Sequence, residues 1–486
     1  MEEELNVETI KSKSVRGIVV LTGRTFFVQA IGIVAQFLLY WYLSVYENGV
    51  FILLGAIINF LVYFSDIGLA AALIQKKEQP SETDLRTTFT VQQILVLGAV
   101  SVVILFTPFF TAKYSLTNDG QMLLYALCFS FALSSLKSIP SVLLERKLEF
   151  VKLVLPQIAE QVVYNVLIVV LAMNGFGISS FTYAVIVRGI VGLLLIYYVQ
   201  PWKPGFAFSL DTLKGLFKFG IPYQVNTFLA TLKDDGLTIV LGGIIGPAGI
   251  GILSFAQKLA RLPLTFFMDT VTKGMFPAFS RLQDNKSDLA RSVTRSIFFI
   301  CLFVFPSLMG IVILAPLLVR VVPRYEQWIP ALVPIIFISI NFAFAAATTQ
   351  LTNLLNAIGK IKYTFYLMIM WTVLTWLLVP TLALKFGVVG ASVGYSLVGF
   401  SSVVAIYIAK QKVNFSIFDS IIKPLIGTVV MGLVLLFIRS FLDVSINSML
   451  ILGLIGVLVY GSSMISMMGV SLIEDAKKSF KHIFSK

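Results

Sequence analysis

The sequence is poor in charge and poorer still in the residues that do chemistry. Of its 486 residues only 13% are Asp, Glu, Lys or Arg, roughly half the share of a soluble globular chain. Its one histidine, His482, lies in the C-terminal tail, so neither a histidine metal site nor a Ser-His-Asp set can be assembled. The two cysteines, Cys128 and Cys301, fall inside apolar runs, which argues against a disulfide and leaves no metal-type spacing. No Walker A, GxGxxG or HExxH pattern is present. "GPAGIG" at 246–251 is glycine-rich, but it is a short turn between apolar runs and a poor phosphate cradle. No loop is long enough to form a soluble domain. A membrane glycosyltransferase or polymerase needs catalytic carboxylates in sizeable outer loops, and the outer loops here are tiny. The expectation is a protein that is not an enzyme and takes no metal and no cofactor.

What the chain has in abundance is hydrocarbon. Hydrophobic residues make up 58%, with 41 Phe, and the mean hydropathy is +0.92. A spanning helix needs about 20 apolar residues. Fourteen such runs are present, at roughly 17–43, 49–75, 87–110, 119–143, 153–174, 179–200, 217–241, 249–277, 292–318, 328–356, 363–384, 387–409, 417–438 and 447–469. They are too long and too uniformly apolar for the alternating strands of a membrane barrel. The fold class is therefore all-α and polytopic. The Pro- and Gly-rich stretch 201–216 divides it into two six-helix halves, 17–200 and 217–409, with 417–469 as an extra helix pair. The start, residues 1–16, is acidic and then basic, with no cleavage site after the first run, and reads as a retained amphipathic cytoplasmic segment. The tail, 470–486, is basic.

Charge gives the orientation. With an even number of spans the termini share a side, and the segments on that side carry 23 Lys and Arg against five on the other. That asymmetry places both termini in the cytoplasm and the chain in the cell membrane. The net charge of +13 is thus orientation information and attraction to anionic lipid headgroups. It does not call for nucleic acid.

Nine basic residues remain inside the runs. Lys137, Lys273, Arg295 and Lys423 sit near helix ends, where long side chains snorkel to the interface. Arg24, Arg188, Lys233, Lys258 and Arg261 lie deeper, as do Asp66, Glu160, Asp234, Asp235 and Asp269. Ionisable groups at that depth face a bundle interior or a water-filled cavity. In the eighth run Ser254, Lys258, Arg261, Thr265, Asp269 and Thr272 follow at helical spacing, one polar stripe over five turns. Gln29, Asn341 and Thr348 extend a polar lining onto the first and tenth runs, where each equally suits a plain interhelical hydrogen bond. Two readings stay open for "KDD" at 233–235. Asp234 or Asp235 can pair with Lys258 or Arg261 across a hairpin turning near Gly246, with no function implied. Alternatively the stripe lines a lumen whose bases take phosphate, whose amides and hydroxyls take sugar, and whose carboxylates bind a coupling ion or position the bases.

The stretch 241–285, "LGGIIGPAGIGILSFAQKLARLPLTFFMDTVTKGMFPAFSRLQDN", resembles the polysaccharide-transporter branch of the multidrug/oligosaccharidyl-lipid/polysaccharide flippase superfamily. The resemblance rests on Gly242, Gly246, Gly251, Ala256, Pro263, Phe276-Pro277-Ala278 and Ser280-Arg281-Leu282-Gln283. "SDIGLAAALIQ" (65–75), "LLERKLEFVKL" (143–153) and "NLLNAIGK" (353–360) are similar to other segments of that branch. The resemblance implies fourteen helices in two six-helix lobes, and a Wzx-type flippase that moves undecaprenyl-pyrophosphate-linked oligosaccharide to the outer leaflet by alternating access. It implies a cationic cavity filled here by Arg24, Arg188, Lys258 and Arg261. Expected partners are the lipid-linked oligosaccharide, membrane lipids, a coupling ion (H+ or Na+), and polysaccharide polymerase or glycosyltransferase proteins. A drug/cation antiporter of the same superfamily is the alternative, and a glycan polymerase a more distant one.

Overall fold

The computed structural model describes residues 7–66 and 68–468. The side chains of 7–19, 64–66, 219, 221–227, 229, 269–270 and 273 are not among those described. Two expected site residues, Asp66 and Asp269, therefore lie outside the described side chains, as does the basic tail. Every element among the described residues is helical. Hydrocarbon offers no water to the backbone, so a span must satisfy its N–H and C=O groups within itself.

The chain forms two compact units, Met1–Gly251 and Ile252–Lys486. The first contains α1 (Val7–Tyr42), α2 (Val45–Asp66), α3 (Leu69–Gln75), α4 (Glu82–Leu105), α5 (Thr107–Tyr114), α6 (Asn118–Leu136), α7 (Ser138–Arg146), α8 (Phe150–Met173), α9 (Ser179–Val199) and α10 (Leu210–Thr231). The boundary falls inside α11 (Leu237–Pro263). The second unit continues with α12 (Asp269–Leu282), α13 (Lys286–Val321), α14 (Leu332–Ala357), α15 (Ile361–Phe400), α16 (Val403–Lys412), α17 (Lys423–Arg439) and α18 (Ile446–Met468).

Twelve helices among the described residues are long and apolar enough to cross a membrane, where hydropathy leads one to expect fourteen. The difference lies in two runs, Leu232–Met268 and Ile361–Lys412, of 37 and 52 residues. As a straight helix the longer would reach about 78 Å, more than twice the hydrocarbon thickness. Each run is broken at one glycine, Gly246 (φ 69°, ψ 173°) and Gly387 (φ 60°, ψ −139°). Only glycine adopts such backbone without strain. At Gly387 the chain doubles back, since Gly390 packs on Leu382, and a Cβ added at Gly394 would lie 2.8 Å from the Cα of Val379. On a continuous helix those last two positions would be about 22 Å apart. Around Gly246 the chain stays against α2, with Gly242 on Leu53, Pro247 on Gly49 and Gly251 on Val45.

Each unit has its own apolar core. In the first, Leu53, Leu54, Leu123, Leu124 and Ile168 are fully enclosed, and Phe51 stacks on Phe181 with centroids 4.1 Å apart. In the second, Phe279, Val293, Ile297, Leu351 and Leu354 form the centre. Large apolar side chains such as Leu194, Leu384, Leu454 and Val457 point outward, which suits contact with lipid tails. In that solvent burial supplies little drive, and helix association rests on close contact at small residues. The backbone-on-backbone approaches at Gly49 and Gly251 are of this kind.

Two segments behind the family resemblance meet at the basic end of the first unit. Arg146, from "LLERKLEF", donates through Nη1 to the carbonyls of Leu73 (2.6 Å), Ile74 (3.0 Å) and Lys76 (2.8 Å), and through Nη2 to Glu78 (2.9 Å). The guanidinium thus closes the free carbonyls at the C-terminal end of α3, the end of "SDIGLAAALIQ". Nearby, the buried Asp84 accepts from Lys76 Nζ (2.6 Å), Ser81 N (2.8 Å) and Thr212 Oγ1 (3.1 Å). Ala207 N donates to Thr90 Oγ1, and Trp202 packs edge-on against Phe89 at 5.2 Å. The Pro- and Gly-rich linker is therefore fastened to the first unit. A lysine cannot reproduce the planar fork at 146. Arg146→Lys is expected to lower stability by about 2 kcal/mol, the scale of lost charge-assisted hydrogen bonds. Thermal unfolding in detergent checks this, with exposed Lys147→Ala as the silent control.

Candidate functional site

The charged stretch at 233–235 sits on a π-helical turn, Leu232–Gly236, between α10 and α11. A π turn inserts one extra residue and re-aims the side chains around it. Asp234 points outward, 73% exposed, with Lys233 Nζ 3.7 Å from its Oδ1. Asp235 is half-buried and hydrogen-bonded by the Asn59 side chain of α2. Thr238 Oγ1 donates to the Asp234 carbonyl at 2.8 Å. Two adjacent carboxylates therefore serve different surroundings. The partner of Asp235 in its own unit is an amide. On α1, Arg24 is half-buried, and its Nε is enclosed without a hydrogen-bond partner among the described residues. Gln29 is exposed on the same helix.

A second charged group joins α6, α8 and α9. Lys137 Nζ lies 2.8 Å from Glu160 Oε1, and Arg188 Nε lies 3.9 Å from Glu160 Oε2. Lys137 and Glu160 are partly buried, at 16% and 12% side-chain exposure, while Arg188 is 40% exposed. The Arg188 guanidinium rests 5.4 Å above the ring of Tyr164, a favourable cation–π contact. Gly192 packs directly on the Glu160 carboxylate, leaving no room for a Cβ. Lys137 is thus an ion-pair partner where snorkelling is expected from sequence. Two cations against one carboxylate leave the group net positive, with spare donors on Arg188.

In the second unit the polar stripe is not uniform. Ser254 is buried. Thr272 accepts from Gln350 Nε2 of α14 at 2.7 Å, so that end is sealed. Lys258 and Arg261, between them, are exposed. Among the described residues of this unit, no carboxylate lies within ion-pair range of either. The positions on α14 are largely structural. Asn341 Nδ2 donates to the Tyr395 carbonyl of α15 at 2.7 Å, and the buried Thr348 donates to the Phe344 carbonyl of its own helix at 2.9 Å. The Thr348 hydroxyl is thus turned back into its own helix.

Sequence reasoning misses an apolar cavity of about 720 Å³ between α13 and the pair α17–α18. Pro306, Gly310, Met431, Leu452, Gly453 and Gly456 form much of its wall, and Leu259 of α11 completes it. Leu259 is the neighbour of Lys258 in sequence. The signal was the spacing of small residues in "ILGLIGVLVYG", residues 451–461, which opens room along one helix face.

A family profile described as polysaccharide biosynthesis protein matches residues 39–333. The chain belongs to this family. Among curated relatives, it is 25% identical over 276 residues to the teichuronic acid biosynthesis protein TuaB of Bacillus subtilis, covering 56% of each chain. To the lipopolysaccharide biosynthesis protein WzxC of Escherichia coli it is 22% identical over 427 residues, 86% of this chain and 83% of that one. The match thus spans little more than half of TuaB. Among solved structures, the lipid II flippase MurJ in an inward closed conformation superposes with a TM-score of 0.75 at 18% identity, over 94% of this chain and 100% of that one. An inward-facing multidrug MATE transporter reaches 0.59 at 15% identity, over 82% and 98%. This polysaccharide biosynthesis family member therefore has the fold shared by MurJ and the MATE transporters, a multi-pass membrane fold.

The Lys137–Glu160–Arg188 group generates a prediction of its own. Glu160→Gln leaves two cations uncompensated in a low-dielectric setting and is expected to cost roughly 3 kcal/mol of stability. Adding Lys137→Met should recover at least half of that loss, as read from thermal unfolding in detergent. Additive losses would show that the ion pair is not the cause.

Proposed function

We propose that the chain is a flippase for lipid-linked oligosaccharides in cell-surface polysaccharide biosynthesis. The cargo is of the polyprenyl-pyrophosphate type, moved from the cytoplasmic to the outer leaflet of the cell membrane. One observation carries this reading: exposed Lys258 and Arg261 stand beside Leu259, which walls a large apolar cavity. A lipid pyrophosphate is an anionic head on an apolar chain. Lysine supplies a point charge and arginine a planar fork for phosphate oxygens, and the cavity takes part of the chain. Arg24 and Arg188 are the further candidates for the head group, and Gln29 and Asn341 for the sugars. The names borne by TuaB, WzxC and MurJ support the same class.

In this reading the protein carries cargo and is not an enzyme. The halves 17–200 and 217–409 alternate access, and both termini are cytoplasmic, in line with the 23-to-five distribution of basic residues. Glu160 acts as a positioning residue for Arg188 and Lys137. Asp66, Asp234, Asp235 and Asp269 are the candidates for coupling to H+ or Na+. Polymerase or glycosyltransferase proteins are the expected partners of such a cycle. The fold alone serves drug/cation antiport equally, given the MATE likeness. The cations of α11, which have no ion-pair carboxylate among the described residues of their unit, favour anionic cargo.

The test is transfer of a labelled polyprenyl-pyrophosphate oligosaccharide in liposomes. Wild type moves it, and Lys258→Ala/Arg261→Ala is expected to lose on the order of 100-fold in initial rate at low substrate. That is the scale of two charge-assisted contacts. Gly453→Phe, which fills the cavity without touching charge, is expected to slow transfer as well. Unchanged rates in both variants, or transport of cationic drugs in place of the lipid, would overturn the proposal.

A further inference from the structure

Residues 201–209 belong to no helix, yet they follow one stripe of α4 closely. A Cβ added at Gly205 would lie 3.0 Å from Arg86 Nε, the Phe206 ring stands 6.0 Å from that of Phe89, and Ala207 N donates to Thr90 Oγ1 at 3.2 Å. The chain then turns back. Ser209 Oγ accepts from Thr212 N at 3.3 Å at the start of α10, and Thr212 Oγ1 donates to Asp84 Oδ1 at 3.1 Å. Thr90 lies six residues beyond Asp84, about 9 Å along α4. The linker is therefore a shallow loop that runs in beside α4, reaches its tip near Ala207 and returns.

The outside of that tip is apolar. Exposure alternates along it: Phe206 is 78% exposed, Phe208 60% and Leu210 59%, while Ala207 and Ser209 between them are half-buried and bonded inward. A cluster of exposed rings marks a surface that something covers. Its place on α4 says what. Arg86, Thr90, Ile94 and Leu97 follow at helical spacing along one face. The loop covers the first two. Ile94 and Leu97, 61% and 58% exposed, continue the same face inside the apolar run that begins near residue 87, where the solvent is lipid. The loop thus lies on the lipid side of its helix, at the level where hydrocarbon begins. Lys203 and Lys214 flank the tip and are exposed, with Asp211 the one acidic residue between them. Aromatic rings flanked by lysines suit the boundary between headgroups and acyl chains.

We propose that this linker is a membrane-interface anchor. Phe206, Phe208 and Leu210 enter the headgroup boundary of the leaflet at the basic end of the chain, the cytoplasmic one in the proposed orientation, and Lys203 and Lys214 stay at headgroup level. The tether between the halves is then held both by the first unit and by the bilayer surface. Nitroxide labels on the full chain in phosphatidylcholine–phosphatidylglycerol vesicles test this. Phe208→Cys and Phe206→Cys carry the label at the tip, Lys214→Cys serves as the water reference and Leu97→Cys as the lipid reference. Cys128 and Cys301 are buried, and the unmutated chain supplies the blank. Collision with oxygen against a water-soluble nickel chelate reads the depth. The label at 208 is expected about 5–10 Å below the phosphates, favouring oxygen over chelate as the label at 97 does. Phe208→Cys decides the matter if Phe206→Cys, which loses the contact with Phe89, does not fold. Chelate access at 208 equal to that at 214 would place the loop in water and overturn the proposal. Low access to both reagents would show the tip covered by protein and overturn it as well.

Discussion

A charge inside hydrocarbon persists only against a partner, a purpose or water, and this constraint organises the whole molecule. The two units meet it in different ways. In the first, Lys137 and Glu160 close on each other at 2.8 Å, Arg188 leans on the same carboxylate and on Tyr164, and Asp235 takes the amide of Asn59. In the second, Lys258 and Arg261 stand three residues apart with no described carboxylate of that unit in ion-pair range. Like charges one turn apart repel. A helix keeps them where a carboxylate beyond the described residues of that unit, an anion from outside, or water completes the arrangement.

Glycine makes the compensated half of this scheme possible. Gly192 lets α9 approach until it touches the Glu160 carboxylate, and Gly399 lets α15 come against Asn341, whose amide then reaches the Tyr395 carbonyl. Remove the space and the polar pairs cannot form at hydrogen-bond distance. The turning points obey the same logic. Gly246 and Gly387 hold backbone angles that a side chain would strain, and at Gly387 the close approach of Gly390 and Gly394 keeps the two arms together.

What could be read in the sequence was whatever repeats along one helix. Apolar runs, their ends and the asymmetry of Lys and Arg are properties of single segments, so class and span positions were legible. The fourteen-span expectation and the twelve long helices differ only where the chain bends at a glycine without leaving helical hydrogen bonding. The family segments were legible too, and Arg146 shows a physical reason for two of them, since one supplies the cap of the other. What was not legible was pairing between helices. Lys137 looked like a snorkelling end residue because nothing in its own run points to Glu160, 23 residues on. For Thr348, helical spacing cannot tell an outward hydroxyl from one bonded to the preceding turn. The π turn at Leu232–Gly236 shifts the register by one residue, so a 3.6-residue count misplaces Asp235 relative to Asp234.

The apolar cavity and the cation pair are joined by the simplest geometry a helix has. Successive residues differ by about 100° around the axis. Lys258 and Leu259 are therefore obliged to face different surroundings while staying within one residue's rise of each other. An amphipathic lipid poses the matching problem, a charged group and an apolar chain linked by a single bond. A wholly polar lumen would leave the chain unsolvated, and a wholly apolar groove would strand the pyrophosphate. One helix that borders the cavity with Leu259, and carries Lys258 about 100° round from it, answers both demands without any loop. Under the proposed function, that economy is how a protein with so few charges, and almost no chemistry-bearing side chains, would discriminate an anionic lipid cargo.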